Sequence, residues 1–238
     1  MDLTTYRRDD GTTHPPLLSP GYRSTVLRAP REQLVLLPHT LTELTGPLLG
    51  EGRVTEADAD LTLAPGGEAQ GQRIIVHGQV RDAGGRPIPH TLVEVWQANA
   101  AGRYQHRWDQ HDAPVDPHFT GVGRCLTDAD GHYRFVTVKP GAYPWGNHPN
   151  AWRPAHIHFS LLGRAFTQRL VTQMYFPDDP LFAYDPIFNS IRDERARQRL
   201  IAGFDLSATV DSWALGFRFD IVLAGPDDGT PTEDPHDD

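Results

Sequence analysis

The stretch Trp152-Arg153-Pro154-Ala155-His156-Ile157-His158-Phe159 carries the densest chemistry in the chain. On a strand, His156, His158 and Ser160 share one face and Ile157, Phe159 and Leu161 the other, because side chains alternate. The apolar set is the natural core face, so both imidazoles leave the core on one side. Two neutral imidazoles so placed can bind one metal ion, and imidazole is common at zinc, copper and iron sites. None of the other ten of the 12 histidines forms a comparable pair.

Two donor sets could complete such a site. Asp109, Asp112 and Asp116 offer carboxylates, which would give the two-His-one-carboxylate arrangement of ferrous oxygenases. Tyr104, closing Asn99-Ala-Ala-Gly-Arg-Tyr104, and Tyr143, closing Lys139-Pro-Gly-Ala-Tyr143, offer phenols from loops. A phenol has a reference pKa of ~10 and is neutral at pH 7, but a strongly Lewis-acidic ferric ion can hold it as phenolate. Spacing alone leaves both sets open, beside the plainer reading in which each tyrosine caps the fold. With one cysteine, Cys125, there is no internal disulfide and no thiolate zinc cluster of the two- or four-Cys kinds. Any metal must be held by nitrogen and oxygen, and Cys125 itself reads as a small buried apolar residue.

The elements that must position these residues read as β. At 238 residues, with 38 % hydrophobic and 22 % charged residues, the chain can bury the core of one large domain, but 22 Gly and 21 Pro punctuate it too often for long helices. Two-residue periodicity predicts strands at Arg73–Arg81, Thr91–Gln97, His132–Val138, His156–Leu161, Leu170–Phe176 and Phe217–Leu223. Turn signals at Gly84-Gly85, Asp130-Gly131 and Pro140-Gly141 separate them. Only Asp193–Ala202 reads as helical. The expected fold is all-β: a β-sandwich of mostly antiparallel strands with long loops and a short helix. Residues 1–72, broken by seven prolines between Pro15 and Pro65, read as an irregular N-terminal arm that wraps the core or a partner; 73–224 read as the sandwich domain.

The net charge is −9. Six carboxylates in Gly225–Asp238 account for −6 of it and leave −3 for the rest, so 225–238 reads as a solvated, disordered acidic tail. Without a Lys/Arg-rich segment the chain is a poor phosphate-backbone binder, and nucleic acid is set aside. No apolar run approaches the ~18–20 residues of a membrane span and Met1–Leu18 has no signal-peptide core, so the expectation is a cytoplasmic protein with no membrane partner. Gly-rich phosphate loops, nucleophile elbows and HExxH motifs are missing, which removes the common nucleotide, serine-hydrolase and zinc-protease readings.

Val76-x-Gly78-x-Val80, Gly85, Ile88 and Val93-Glu94-Val95 lead to Gly102 and Tyr104. Gly121-Val-Gly-Arg-Cys-Leu-Thr-Asp128, Pro140-Gly-Ala-Tyr-Pro-Trp145 and Trp152-Arg-Pro-Ala-His-Ile-His-Phe159 follow in order. With these residues the chain resembles the intradiol ring-cleavage dioxygenases from about Tyr22 to Leu223. Its proline-rich start resembles the iron-bearing β chains that assemble with a homologous α chain lacking the metal ligands. Part of this pattern also fits non-catalytic transthyretin-like sandwich modules.

The resemblance implies a non-haem Fe(III) held by Tyr104, Tyr143, His156 and His158. It implies O₂ insertion between the two hydroxylated carbons of 3,4-dihydroxybenzoate (protocatechuate), giving 3-carboxy-cis,cis-muconate in the β-ketoadipate pathway; hydroxyquinol or unsubstituted catechol are the alternative substrates. It further implies that Tyr143 accepts a catechol proton, that Arg153 stabilises anionic charge on the ring and that Gln173 is a polar pocket group. Tyr22 would reach the substrate carboxylate from the arm, while Trp145, Ile187 and Trp96 would form pocket walls.

Overall fold

The computed structural model describes residues 14–32, 53–64, 66–146, 151–162, 169–223 and 229–232. In chain order its strands are β1 (Leu63–Ala64), β2 (Gly67–Glu68), β3 (Arg73–Asp82), β4 (Leu92–Trp96), β5 (Val122–Leu126), β6 (His132–Val138), β7 (Tyr143–Trp145) and β8 (Ala151–Arg153). β9 (His156–Leu162), β10 (Arg169–Tyr175), β11 (Gly203–Phe204), β12 (Leu215–Arg218) and β13 (Ile221–Leu223) follow. Helix α1 spans Arg23–Arg28 and α2 spans Glu194–Gln198.

Two sheets form the sandwich. One has the order β10-β9-β4-β5; the other joins β11-β12-β3 with β6 and β13 also paired to β3. Among the named strands all described pairings are antiparallel except those of β12 and β13 with β3. The expected all-β sandwich is therefore the fold observed. Between the sheets lie Ile74, Val76 and Val80 from β3, Val93 and Val95 from β4, and Ile157, Phe159 and Leu161 from β9, packed on Tyr133, Phe135, Phe217 and Phe219. Phe159 sits at the centre of the aromatic part, with ring centroids 5.2 Å from Phe219, 5.8 Å from Phe135 and 5.9 Å from Tyr133. Cys125 is buried in the same core, and burial pushes its thiol pKa up to about 12.

Several elements differ from the sequence expectation, each for a physical reason. The strand expected at Phe217–Leu223 is broken at Phe219-Asp220, where the Asp220 carboxylate replaces a backbone acceptor and takes the Gln79 amide at 3.1 Å. The expected Asp193–Ala202 helix is only the five-residue α2, with the Asp193 side chain capping the Arg195 and Ala196 amides. Helix α1 was not expected; the Thr25 hydroxyl ties it to the Ser19 and Tyr22 carbonyls at 2.7 and 2.8 Å. Within the arm, Leu61 enters the main core and donates its amide to Val136 O at 2.9 Å.

The segment expected as a disordered tail needs partial correction. Gly229–Thr232 are buried, Thr230 N bonds Val222 O at 3.0 Å, and the Thr232 hydroxyl donates to Val171 O at 2.9 Å. The pleated backbone of β13 thus captures four residues whose small side chains fit against β10. The six carboxylates of that segment, like residues 1–13 and 33–52 of the arm, lie outside the described residues. Among the described residues no helix is long and apolar enough to cross a membrane.

Candidate active site

The face of β9 opposite Phe159 carries His156 and His158, with ring centroids 4.8 Å apart. Register then brings in their neighbours. Trp96 on β4 and Gln173 on β10 lie opposite His158, while Tyr175 on β10 lies opposite His156. The Trp96 indole stacks on the His158 ring at 4.8 Å and 5° and so fixes its plane. The neighbouring ribbon of β7 and β8 places Tyr143 directly across from Arg153.

His156 is buried. Its Nδ1 donates to Pro154 O at 2.7 Å, since a carbonyl can only accept. Burial, then the charges of Arg153 and His158, hold its pKa well below the usual imidazole range, so the ring is neutral and Nε2 presents its lone pair. Tyr143 Oη lies 3.1 Å from that Nε2. A second phenol, Tyr104, packs edge-on against Tyr143 with centroids 5.5 Å apart.

Two loops bring the phenols together. Asn99 Oδ1 takes the amides of Ala101 and Arg103 at 2.9 Å each, and Asn99 O takes Gly141 N from the other loop at 2.9 Å. Gly102 has φ +78°, and a Cβ there would fall 2.1 Å from Ala142 O, so the loops touch backbone to backbone immediately before Tyr104 and Tyr143. Gly102→Ala combines a left-handed backbone, costing roughly 1–2 kcal/mol, with this clash. The expected outcome is a lowered melting temperature together with reduced metal content; a variant matching the parent in both would refute the loop weld.

Asp109, Asp112 and Asp116 do not join this cluster. Asp109 takes the Tyr104 amide at 2.7 Å and the His111 amide at 2.9 Å; Asp116 takes Gln70 N at 2.7 Å and His118 N at 2.9 Å; Asp112 is exposed. Two of the three carboxylates hold loops. Among the described residues no group of three His, Cys, Asp or Glu side chains is placed to hold a metal ion. The side chains that do come together, two phenols and two imidazoles, could offer nitrogen and oxygen donors to a hard, Lewis-acidic cation.

Residues 44–225 match the family model described as Dioxygenase, and residues 6–40 match that described as Protocatechuate 3,4-dioxygenase beta subunit N terminal. The chain belongs to the intradiol dioxygenase family. This dioxygenase is 58 % identical over 226 residues to the protocatechuate 3,4-dioxygenase beta chain of Burkholderia cepacia, covering 94 % of this chain and 95 % of the relative. To the protocatechuate 3,4-dioxygenase alpha chain of Pseudomonas putida it is 34 % identical over 200 residues, covering 80 % of this chain and 94 % of that one. The crystal structure of 3-chlorocatechol 1,2-dioxygenase from Rhodococcus opacus 1CP shares the fold, with a TM-score of 0.56 at 23 % identity over 76 % of this chain and 71 % of that one.

The remaining residues expected at the dioxygenase site fall into two groups. Trp145 lies between Tyr22, whose ring is 4.8 Å away, and the Arg153 guanidinium, 5.6 Å from the indole centroid. The arm residue and the cation thus meet on one aromatic plate. Gln173 is buried and accepts from Arg153 rather than facing outward, and Ile187 is buried behind it, lining a small cavity with Gln173 and Tyr175. Sequence reading did not single out Tyr175 or Asp185. Tyr175 had a signal, since it shares a strand face with Gln173 two residues earlier. Asp185, in a loop before Pro186, had none.

Proposed function

We propose that this chain is the iron-bearing β chain of a cytoplasmic protocatechuate 3,4-dioxygenase, assembled with a homologous α chain. It cleaves 3,4-dihydroxybenzoate with O₂ to 3-carboxy-cis,cis-muconate in aromatic-compound catabolism. The observation that carries this reading is the convergence of Tyr104, Tyr143, His156 and His158 beside a buried arginine, in a chain 58 % identical to such a β chain over nearly its whole length.

The four donors fit a non-haem ferric ion: both rings of the histidine pair lie together, His156 is held neutral with Nε2 available, and the phenols supply hard anionic oxygen. Bound there, Fe(III) would draw electron density from a chelated catechol so that the ring itself reacts with O₂. The chain's own groups do the rest. Tyr143 Oη, next to His156 Nε2, accepts a proton from an incoming catechol hydroxyl. Arg153, fixed cationic and desolvated, stabilises negative charge that develops on the ring. Trp96, stacked on His158, and Trp145, against Arg153, would wall the space for a flat ring, and Tyr22, packed on Trp145, would meet its carboxylate.

The test is the visible spectrum of the αβ enzyme. A red-brown ferric phenolate band is expected, moving when protocatechuate is added. Tyr143→Phe is expected to keep iron with an altered band while substrate binding and release slow on the order of 10²-fold, the scale of losing a positioned base. A colourless protein without stoichiometric iron, or a substrate profile led by hydroxyquinol or catechol, would overturn the reading.

A further inference from the structure

Arg153 and Asp185 form an ion pair far from water, with side chains 3 % and 0 % exposed and Arg153 Nε 3.1 Å from the carboxylate. Burying two charges is costly, and such a pair is retained only where geometry and further hydrogen bonds offset the desolvation. Here the further bonds all fall on one edge of the guanidinium. Nη2 donates to Gln173 Oε1 and to Tyr175 Oη, the latter at 3.1 Å. Tyr175 Oη in turn lies 2.8 Å from Gln173 Oε1 and 3.2 Å from Asp185 Oδ2.

Asp185 is itself anchored. Its Oδ1 takes the Ile187 amide at 2.9 Å, and its carbonyl takes Asn189 Nδ2 at 2.9 Å. The indole of Trp145 covers the guanidinium from 5.6 Å. One edge of Arg153, made of Nε and Nη2, and one face are thus held. On β10, the residues that hold the edge sit opposite the two histidines, and Arg153 sits opposite Tyr143.

We propose that Asp185, together with Tyr175, is the positioning element that holds one edge of Arg153 so that Nη1 stays turned to the substrate bound at the tyrosine–histidine cluster. The inference rests on the ring-cleavage reading above. Asp185 does not touch substrate; it acts through Arg153.

A kinetic double-mutant cycle on the αβ enzyme with protocatechuate tests this, using Asp185→Asn, Arg153→Gln and the pair. Asp185→Asn keeps the shape and an acceptor but removes the charge. Its kcat is expected to fall roughly 10–100-fold, the usual cost of losing an outer-shell partner, with a much smaller change in KM. The iron content and resting visible band should match the parent. In the Arg153→Gln background the same substitution should cause no further fall, because the group through which Asp185 acts is gone.

An equal fall in both backgrounds, or an unchanged kcat in the single variant, would overturn the proposal, since an effect of Asp185 that does not pass through Arg153 predicts additivity. Should Asp185→Asn fail to fold, Tyr175→Phe is read in the same cycle with the same two outcomes. A parent enzyme that binds iron yet opens no catechol ring would instead defeat the functional reading, and the positioning role with it.

Discussion

His158→Ala is expected to give a folded protein that neither retains stoichiometric metal nor cleaves protocatechuate. His158 lies on the outer face of β9, only partly buried, and its ring packs on Trp96 and His156 rather than on the sandwich core. Losing an aromatic pair of this kind costs about 0.5–1.5 kcal/mol. The core residues on either side of it, Ile157 and Phe159, point the other way and keep their contacts. The fold should therefore survive with a melting temperature lowered by only a few degrees. The chemistry should not survive, because one of four proposed donors is gone; the loss should exceed the roughly 10–100-fold typical of an outer-shell partner. Metal analysis, ring-cleavage rate and thermal melting on one preparation decide it. Full iron content with parental turnover would remove His158 from the site.

The same strand shows why part of this protein could be read from its residues and part could not. Alternation alone separates His156 and His158 from Ile157, Phe159 and Leu161, and the observed packing follows that division: the apolar three enter the sandwich core while the two imidazoles pack on each other, His156 being buried as well. Where the signal is local and periodic, pattern reading works. β5 alternates too, but Gly121 and Gly123 dilute its signal, and Gly123 is needed because Leu61 of the arm packs where its side chain would be. The β7–β8 ribbon has three-residue strands with Pro144 in one of them, so pairing and not propensity makes it.

The donor set was the harder problem. Whether Tyr104 or an aspartate joins the histidines depends on the contact of two loops some forty residues apart, at Gly102 and Ala142, which no spacing rule encodes. The family resemblance named both phenols; the loop contact explains how they meet. Asp185 is the extreme case. It becomes meaningful only once β8 and the loop after β10 are packed together, and then it is the fully buried partner of Arg153.

Phe159→Ala should have the opposite phenotype to His158→Ala although the two positions are adjacent. The Phe159 ring is fully buried and in contact range of Tyr133, Phe135 and Phe219, and its Cα lies between Val95 of β4 and Thr172 of β10. Truncating it removes the transfer free energy of a large aromatic and leaves a void that flanking strands, hydrogen-bonded on both sides, can close only in part. Such changes cost about 3–5 kcal/mol, against a total stability of roughly 5–15 kcal/mol. At about 2–4 °C per kcal/mol for a domain of this size, the melting temperature should fall by roughly 6–20 °C. Below the new transition the histidines still sit on β9, so protein that remains folded should bind iron and turn over at a rate near the parent's. Melting curves paired with turnover per iron, measured well below the transition, separate the two effects. If both substitutions lowered the melting temperature equally, the assignment of the two faces of β9 would be wrong, and with it the route by which the sandwich would present the proposed metal donors.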